Sequence, residues 1–186
     1  KYLYKLRADN PDTGGYAYKA QTRDIAVVEL LFATGIRVSE LCELSCDAVD
    51  LKQATIKVFG KGSKERVIQI CSVEVLKILR QYQRLFAPSK CFFINRLGNR
   101  LSSQSVRLLI KRCREEIGIG KKITPHTFRH TFATLLLEED VDIKYIQNLL
   151  GHSSITTTQI YTHVNMNKQK KILSSKHPRK KMEMEE

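Results

Sequence analysis

The tetrapeptide His126-Thr127-Phe128-Arg129 sets an imidazole and a guanidinium three residues apart. On a helix this spacing puts both on one face, while Phe128 and Phe132 turn toward a core. Such a face can hold an anion, because a guanidinium is a permanent cation whose forked donors match two phosphate oxygens and the imidazole adds another donor. A second permanent cation, Arg37, lies in residues 23–50, which carry six acids and only two basic residues. An ammonium, Lys61, sits in Gly60-Lys61-Gly62-Ser63-Lys64, with Lys64 on the same turn able to substitute for it. Further on, Gly151-His152-Ser153-Ser154-Ile155-Thr156-Thr157-Thr158-Gln159-Ile160-Tyr161 separates an imidazole from a phenol by nine residues. A nucleophile, proton donors and fixed positive charge are what breaking a phosphodiester without a metal requires.

Metal chemistry suits the same residues poorly. His126 and His130 are four apart, but a zinc hydrolase helix needs Glu after its first His, and Thr127 stands there. Cys42 and Cys46 enclose three residues rather than two and have no matching second pair. No metal and no cofactor is therefore expected. The five cysteines lie among apolar neighbours and read as reduced core residues.

The elements that must position these groups are mostly helices. Residues 22–34 show helical apolar spacing with Gly35 as the stop, and a second helix is expected from Ser39, leaving Arg37 in the tight connection. Residues 54–59 and 65–70 alternate as two strands around the basic, Gly-rich tip. Residues 73–86 form a helix ended by Pro88, residues 91–94 a short buried extended piece, and residues 102–117 an amphipathic helix with a basic face. Thr124-Pro125 opens another helix, with Thr as N-cap, Pro at the first helical position and Phe128, Phe132, Leu135 and Leu136 as its core stripe. Asp142 caps a helix that stops at Gly151, a short helix is expected from Ser153 or Ser154 through Tyr161, and a C-terminal helix or tail follows. The expected fold is mainly α with a small antiparallel β-sheet, an α+β domain, and not a parallel α/β fold.

Length and composition agree. The 186 residues, 42% hydrophobic and 27% charged, suit one ordinary domain or one catalytic domain of a longer protein. The outlier is charge: 32 Lys and Arg against 19 Asp and Glu give +13, the signature of a polyanionic partner such as nucleic acid. Residues 90–122 hold nine basic residues against two acids, and residues 168–181 hold seven with no acid. No apolar stretch approaches the ~20 residues of a membrane span and no secretory leader is evident, so the expected location is the cytoplasm, at the nucleoid.

Taken together, the Ala33-Thr34-Gly35-Ile36-Arg37-Val38-Ser39-Glu40-Leu41 segment, the Gly60-Lys61-Gly62 hairpin, His126 to Arg129, and His152 followed by Tyr161 resemble, in order, the catalytic boxes of the tyrosine recombinases, or phage-type integrases. The resemblance runs from about Thr22 to Val164. It implies the fold of that catalytic domain over residues 1–167, with residues 168–186 as a basic tail or segment and the family's N-terminal core-binding domain absent from this chain. It implies Tyr161 as the nucleophile that forms a 3'-phosphotyrosyl bond, Arg37 and Arg129 as a clamp on the scissile phosphate with His152 as a further donor, Lys61 as proton donor to the leaving 5'-oxygen, and His126 as an aid to proton transfer. Glu40 is expected to orient the Arg37 loop. Lys64, Arg107, Lys111, Arg112, Lys121 and Lys122 are the candidate DNA contacts. Partners would be double-stranded DNA and other recombinase protomers, a tetramer on DNA by the family's rule, in integration or excision of a mobile element.

Singly, each residue has a plainer role: Tyr161 a core tyrosine like Tyr82 or Tyr145, Lys61 a solubilising charge, Arg37 a partner for Glu40 or Asp47. A non-catalytic helix-turn-helix module, drawn from residues 146–157, and a type IB topoisomerase are the competing functions. Arg37, Arg129 and Tyr161 together separate them, since a binding module has no use for the set.

Overall fold

A computed structural model describes residues 1–10, 12–59, 65–88, 90–151 and 172–176, and among these described residues are seven α-helices, a further helical turn and one three-stranded antiparallel sheet. This is the mainly helical architecture with a small sheet that the sequence leads one to expect. The central element is α2 (Tyr16–Thr34), whose Ile25, Ala26, Val27, Leu30 and Leu31 are all fully buried. Burial on several sides of one helix makes it the axis around which α4 (Val73–Phe86), α5 (Ser103–Glu116) and α6 (Pro125–Glu138) pack.

Two features lie beyond the local sequence pattern. Helix α2 starts at Tyr16, six residues before its apolar periodicity does, and α1 (Tyr2–Ala8) precedes it with no fully buried residue. Both are held by tertiary contacts: Arg7 donates to Gln81 on α4 at 2.9 Å, and Gln81 donates to the Tyr18 hydroxyl at 2.9 Å. Hydrogen bonds between residues 63 to 74 positions apart leave no trace in a helical periodicity.

The sheet runs β1 (Val49–Asp50), β2 (Thr55–Phe59), β3 (Glu65–Gln69), with Ile56 opposite Ile68 and Val58 opposite Arg66. Its inner face packs on the core. The segment after α4 buries Phe92 and Phe93 completely, and the Tyr82 hydroxyl donates to the Phe92 carbonyl at 2.8 Å and accepts from the Ile94 amide at 3.0 Å. Burial pushes that phenol up to about 12, so Tyr82 is a core residue with no acid-base role at neutral pH.

The last third follows its capping residues. Thr124 and Thr127 exchange side-chain and backbone bonds at the start of α6, with Pro125 at the first position. Asp142 accepts from the amides of Lys144 and Tyr145 to open α7 (Ile143–Leu150). Phe132, Leu136, Ile146, Leu149 and Leu150 form a second apolar cluster, into which Leu173, in a helical turn over residues 172–176, is also buried. Phe128 and Leu135 are only half-buried; the inward position of α6 beside Phe132 belongs instead to Arg129, which is 6% exposed.

Gly35 joins the two clusters. It ends α2 in the left-handed region at φ +60, and a Cβ there would lie 2.8 Å from both Phe132 and Leu150. Gly35→Ala is therefore expected to cost about 2–4 kcal/mol from the strained backbone and the displaced side chains together. Denaturant unfolding checks this; a loss under about 0.5 kcal/mol would show that the helix ends are not held this closely.

Candidate active site

Two helix ends supply the frame. Helices α2 and α7 stop at Gly35 and Gly151, both left-handed, and leave carbonyls without helical partners. Arg129 fills the space between them, donating Nη1 to the Gly35 carbonyl at 2.8 Å and Nη2 to the Leu150 carbonyl at 2.7 Å. The partial negative charge of a helix C-terminus favours a cation there. Arg37 lies two residues past Gly35 as the N-cap of α3 (Val38–Glu43), and donates Nη2 to the Gly151 carbonyl at 3.0 Å. The same two helix ends thus hold both arginines.

Glu40, on the first turn of α3, ties the group together. Its Oε2 accepts from the Arg37 amide at 3.0 Å and its Oε1 from Arg37 Nη1 at 2.8 Å. Each oxygen also accepts from Arg66, at 2.8 and 2.7 Å, in a two-pronged pair. Glu40 does orient Arg37, in its backbone as well as its side chain. Burial alone would raise the Glu40 carboxyl, but Arg66 and Arg37 hold it down to about 2. Its pairing therefore adds stability that is complete above the ordinary value near 4.5 and fades as pH falls toward 2.

Arg66 is missing from the set singled out in the sequence, though a signal was there. Strand β3 alternates, and Arg66 falls in phase with buried Ile68 and is itself 7% exposed. A charged residue at an inward strand position needs a buried partner.

Among the described residues the cluster sets three guanidiniums against one carboxylate. Burial, with Arg37 and Arg66 close by, lowers Arg129 to about 10, which still leaves it charged at neutral pH. The surplus positive charge opens on one side, because the Arg37 side chain is 38% exposed whereas Glu40 and Arg66 are 5% and 8%. Its Nε and one N–H on each terminal nitrogen have no partner among the described residues. An anion with two or more oxygens fits that edge.

The other expected site residues divide into two groups. His126 stands on the second position of α6, exposed to solvent, one turn before Arg129. The Arg129 side chain itself is buried and reaches inward to the two helix ends. Lys61, Lys64, His152 and Tyr161 lie outside the described residues. Of the candidate DNA contacts, Arg107, Lys111, Arg112, Lys121 and Lys122 are exposed. Lys111 is 3.9 Å from Glu115, and Arg112 is bound at 3.2 Å to Asp24, a carboxylate buried on α2 that also holds Arg23. Arg112 thus has a structural tie in addition to any contact with DNA.

The sequence model of the phage integrase family matches residues 9–168, a span that contains the whole Arg37–Glu40–Arg66–Arg129 cluster. The chain belongs to the phage integrase family. It is 54% identical over 182 residues to a tyrosine recombinase of Agathobacter rectalis and 45% identical over 165 residues to the tyrosine recombinase XerC of Thermodesulfovibrio yellowstonii. These matches cover 96% and 84% of this chain but 59% and 55% of the relatives, so the chain spans little more than half the length of those proteins. The crystal structure of XerA recombinase superposes with a TM-score of 0.68 at 34% identity, covering 95% of this integrase-family chain and 63% of XerA. XerH recombinase, solved with its difH substrate in a pre-cleavage complex, gives 0.68 at 25% identity, covering 93% of this chain and 50% of XerH. No helix among the described residues is long and apolar enough to cross a membrane.

Proposed function

We propose that this protein cuts and rejoins DNA at specific sites through a covalent link between Tyr161 and a DNA 3'-phosphate. The observation that carries the proposal is the buried arginine cluster, whose surplus positive charge has one open edge, at Arg37. A buried excess of cations is unfavourable without an anion, and a scissile phosphate supplies one. The relatives named tyrosine recombinases, and XerH with its DNA, support the same reading.

The reaction assigns a task to each group. Arg37 and Arg129 bind the non-bridging phosphate oxygens and stabilise the charge that builds on them in the transition state. His152 adds a donor. The Tyr161 oxygen attacks phosphorus while the bond to the 5'-oxygen breaks; Lys61 gives that oxygen a proton, and His126 helps move the phenol proton away. Religation is the reverse step, attack of a 5'-hydroxyl on the phosphotyrosyl phosphorus. Arg129 keeps its place through backbone carbonyls, so its geometry is set before DNA arrives.

Because one phosphodiester is exchanged for another, the cycle needs no external energy source. Strand exchange between two copies of the target site is expected to proceed without ATP and in excess EDTA. A requirement for nucleotide or divalent metal in the cleavage step would contradict the proposal. The exposed cations of α5 and of Lys121 and Lys122 hold the duplex by salt-dependent contacts, and the seven basic residues of 168–181 add to that charge. Four protomers act on two duplexes at the nucleoid, in integration or excision of a mobile element.

A further inference from the structure

We propose that Arg66 is a positioning residue for strand cleavage, acting on the scissile phosphate only through Glu40 and Gly151. The inference rests on the recombinase reading above and adds to it a residue and a means of action.

Charge balance alone does not explain why an arginine is buried here. Arg37 already gives Glu40 one guanidinium partner, and a second buried cation adds repulsion toward Arg37 and Arg129. An apolar residue in phase with Ile68 would fill the inner face of β3 at lower electrostatic cost. What Arg66 contributes is direction. Its two prongs meet the two oxygens of Glu40 at 2.8 and 2.7 Å, a geometry that fixes the plane of the carboxylate. With that plane fixed, the remaining lone pair of each oxygen is aimed at Arg37, one at its amide and one at Nη1.

A second contact works on Gly151. A Cβ at that position would lie 2.9 Å from Arg66 Nη1 and 3.2 Å from its Cζ and Cδ, so the glycine backbone rests against the guanidinium. Gly151 is the residue whose carbonyl receives Arg37 Nη2. Arg66 therefore backs both groups that aim Arg37. Arg66 lies on β3, so the anchor it gives Glu40 comes from the sheet and not from α3 itself.

The test measures single-turnover cleavage of a nicked duplex carrying the site that the protein selects from a random-sequence duplex pool. Arg66→Met, which keeps the volume of the stem, is expected to cleave about 10–100-fold more slowly, and Arg66→Lys, with one prong in place of two, about 10-fold more slowly. Duplex affinity should stay within about twofold and the salt slope unchanged, whereas a phosphate-contacting cation lowers that slope by about 1. Because the Glu40 route is shared, loss of Arg66 in a Glu40→Gln background should cost less than its loss alone, with only the Gly151 contact left to act. A rate like wild type in folded Arg66→Met, or losses that multiply in the double variant, overturns the inference. If Arg66→Met is unfolded at the assay temperature, Arg66→Lys decides in its place: a wild-type rate overturns the inference and a 10-fold loss with unchanged affinity upholds it. A wild-type protein that forms no adduct refutes the recombinase reading itself, a result distinct from either.

Discussion

Arg37→Lys is expected to slow strand cleavage by about 10²- to 10³-fold while leaving the protein folded. The size follows from the loss of one preorganised donor pair at the charge that develops in the transition state. Lysine keeps the charge but not the fork: it cannot bond Glu40 and the Gly151 carbonyl and still present a flat edge of donors to two phosphate oxygens. Stability is spared because Arg37 is more than a third exposed and Glu40 keeps both bonds from Arg66. Arg129→Lys makes the contrast. Arg129 is buried and is bound to the ends of α2 and α7 through the Gly35 and Leu150 carbonyls, so its replacement should lower thermal stability as well as rate. Single-turnover kinetics beside thermal unfolding distinguishes the two; equal stability losses would mean that Arg37 belongs to the frame.

The second large effect belongs to Tyr161→Phe. This change removes one oxygen and no charge, so the lysine and arginine contacts proposed to hold duplex DNA should be untouched. It removes the only group assigned to form the covalent bond. No partial effect is expected: with the phosphate clamped and the proton donor in place, the variant still has nothing to exchange for the 5'-oxygen, and cleavage should fall by at least about 10⁴-fold. Arg37→Lys weakens a step that Tyr161→Phe eliminates.

Much of the frame behind these expectations was legible in the sequence. Gly35, the Thr124-Pro125 start, Asp142 and Gly151 act through their own backbone geometry, and each sits where its residue type requires. The two longer strands of the sheet followed from alternation. What was hidden depends on partners far along the chain. Arg66 reads as a basic residue beside a basic turn until Glu40, twenty-six positions away, is seen to hold it. Arg129 reads as an exposed cation on a helix face, and only the carbonyls of Gly35 and Leu150 explain why it turns inward. Helix α1 and the first turn of α2 depend on side-chain bonds to α4. Periodicity reports which face is apolar; it carries no information about a polar group satisfied by a remote backbone.

The most direct test of the account is the phosphotyrosyl adduct. The protein is mixed with a nicked duplex bearing its selected site, so that the cleaved strand loses a short fragment and cannot religate, and the mixture is resolved on a denaturing gel with mass analysis of the DNA-bound peptide. The account predicts a stable adduct for wild type, mapped to Tyr161, and none for Tyr161→Phe at equal duplex binding. An adduct of wild-type yield from Tyr161→Phe, or cleavage by wild type with no protein attached to the 3' end, would contradict it.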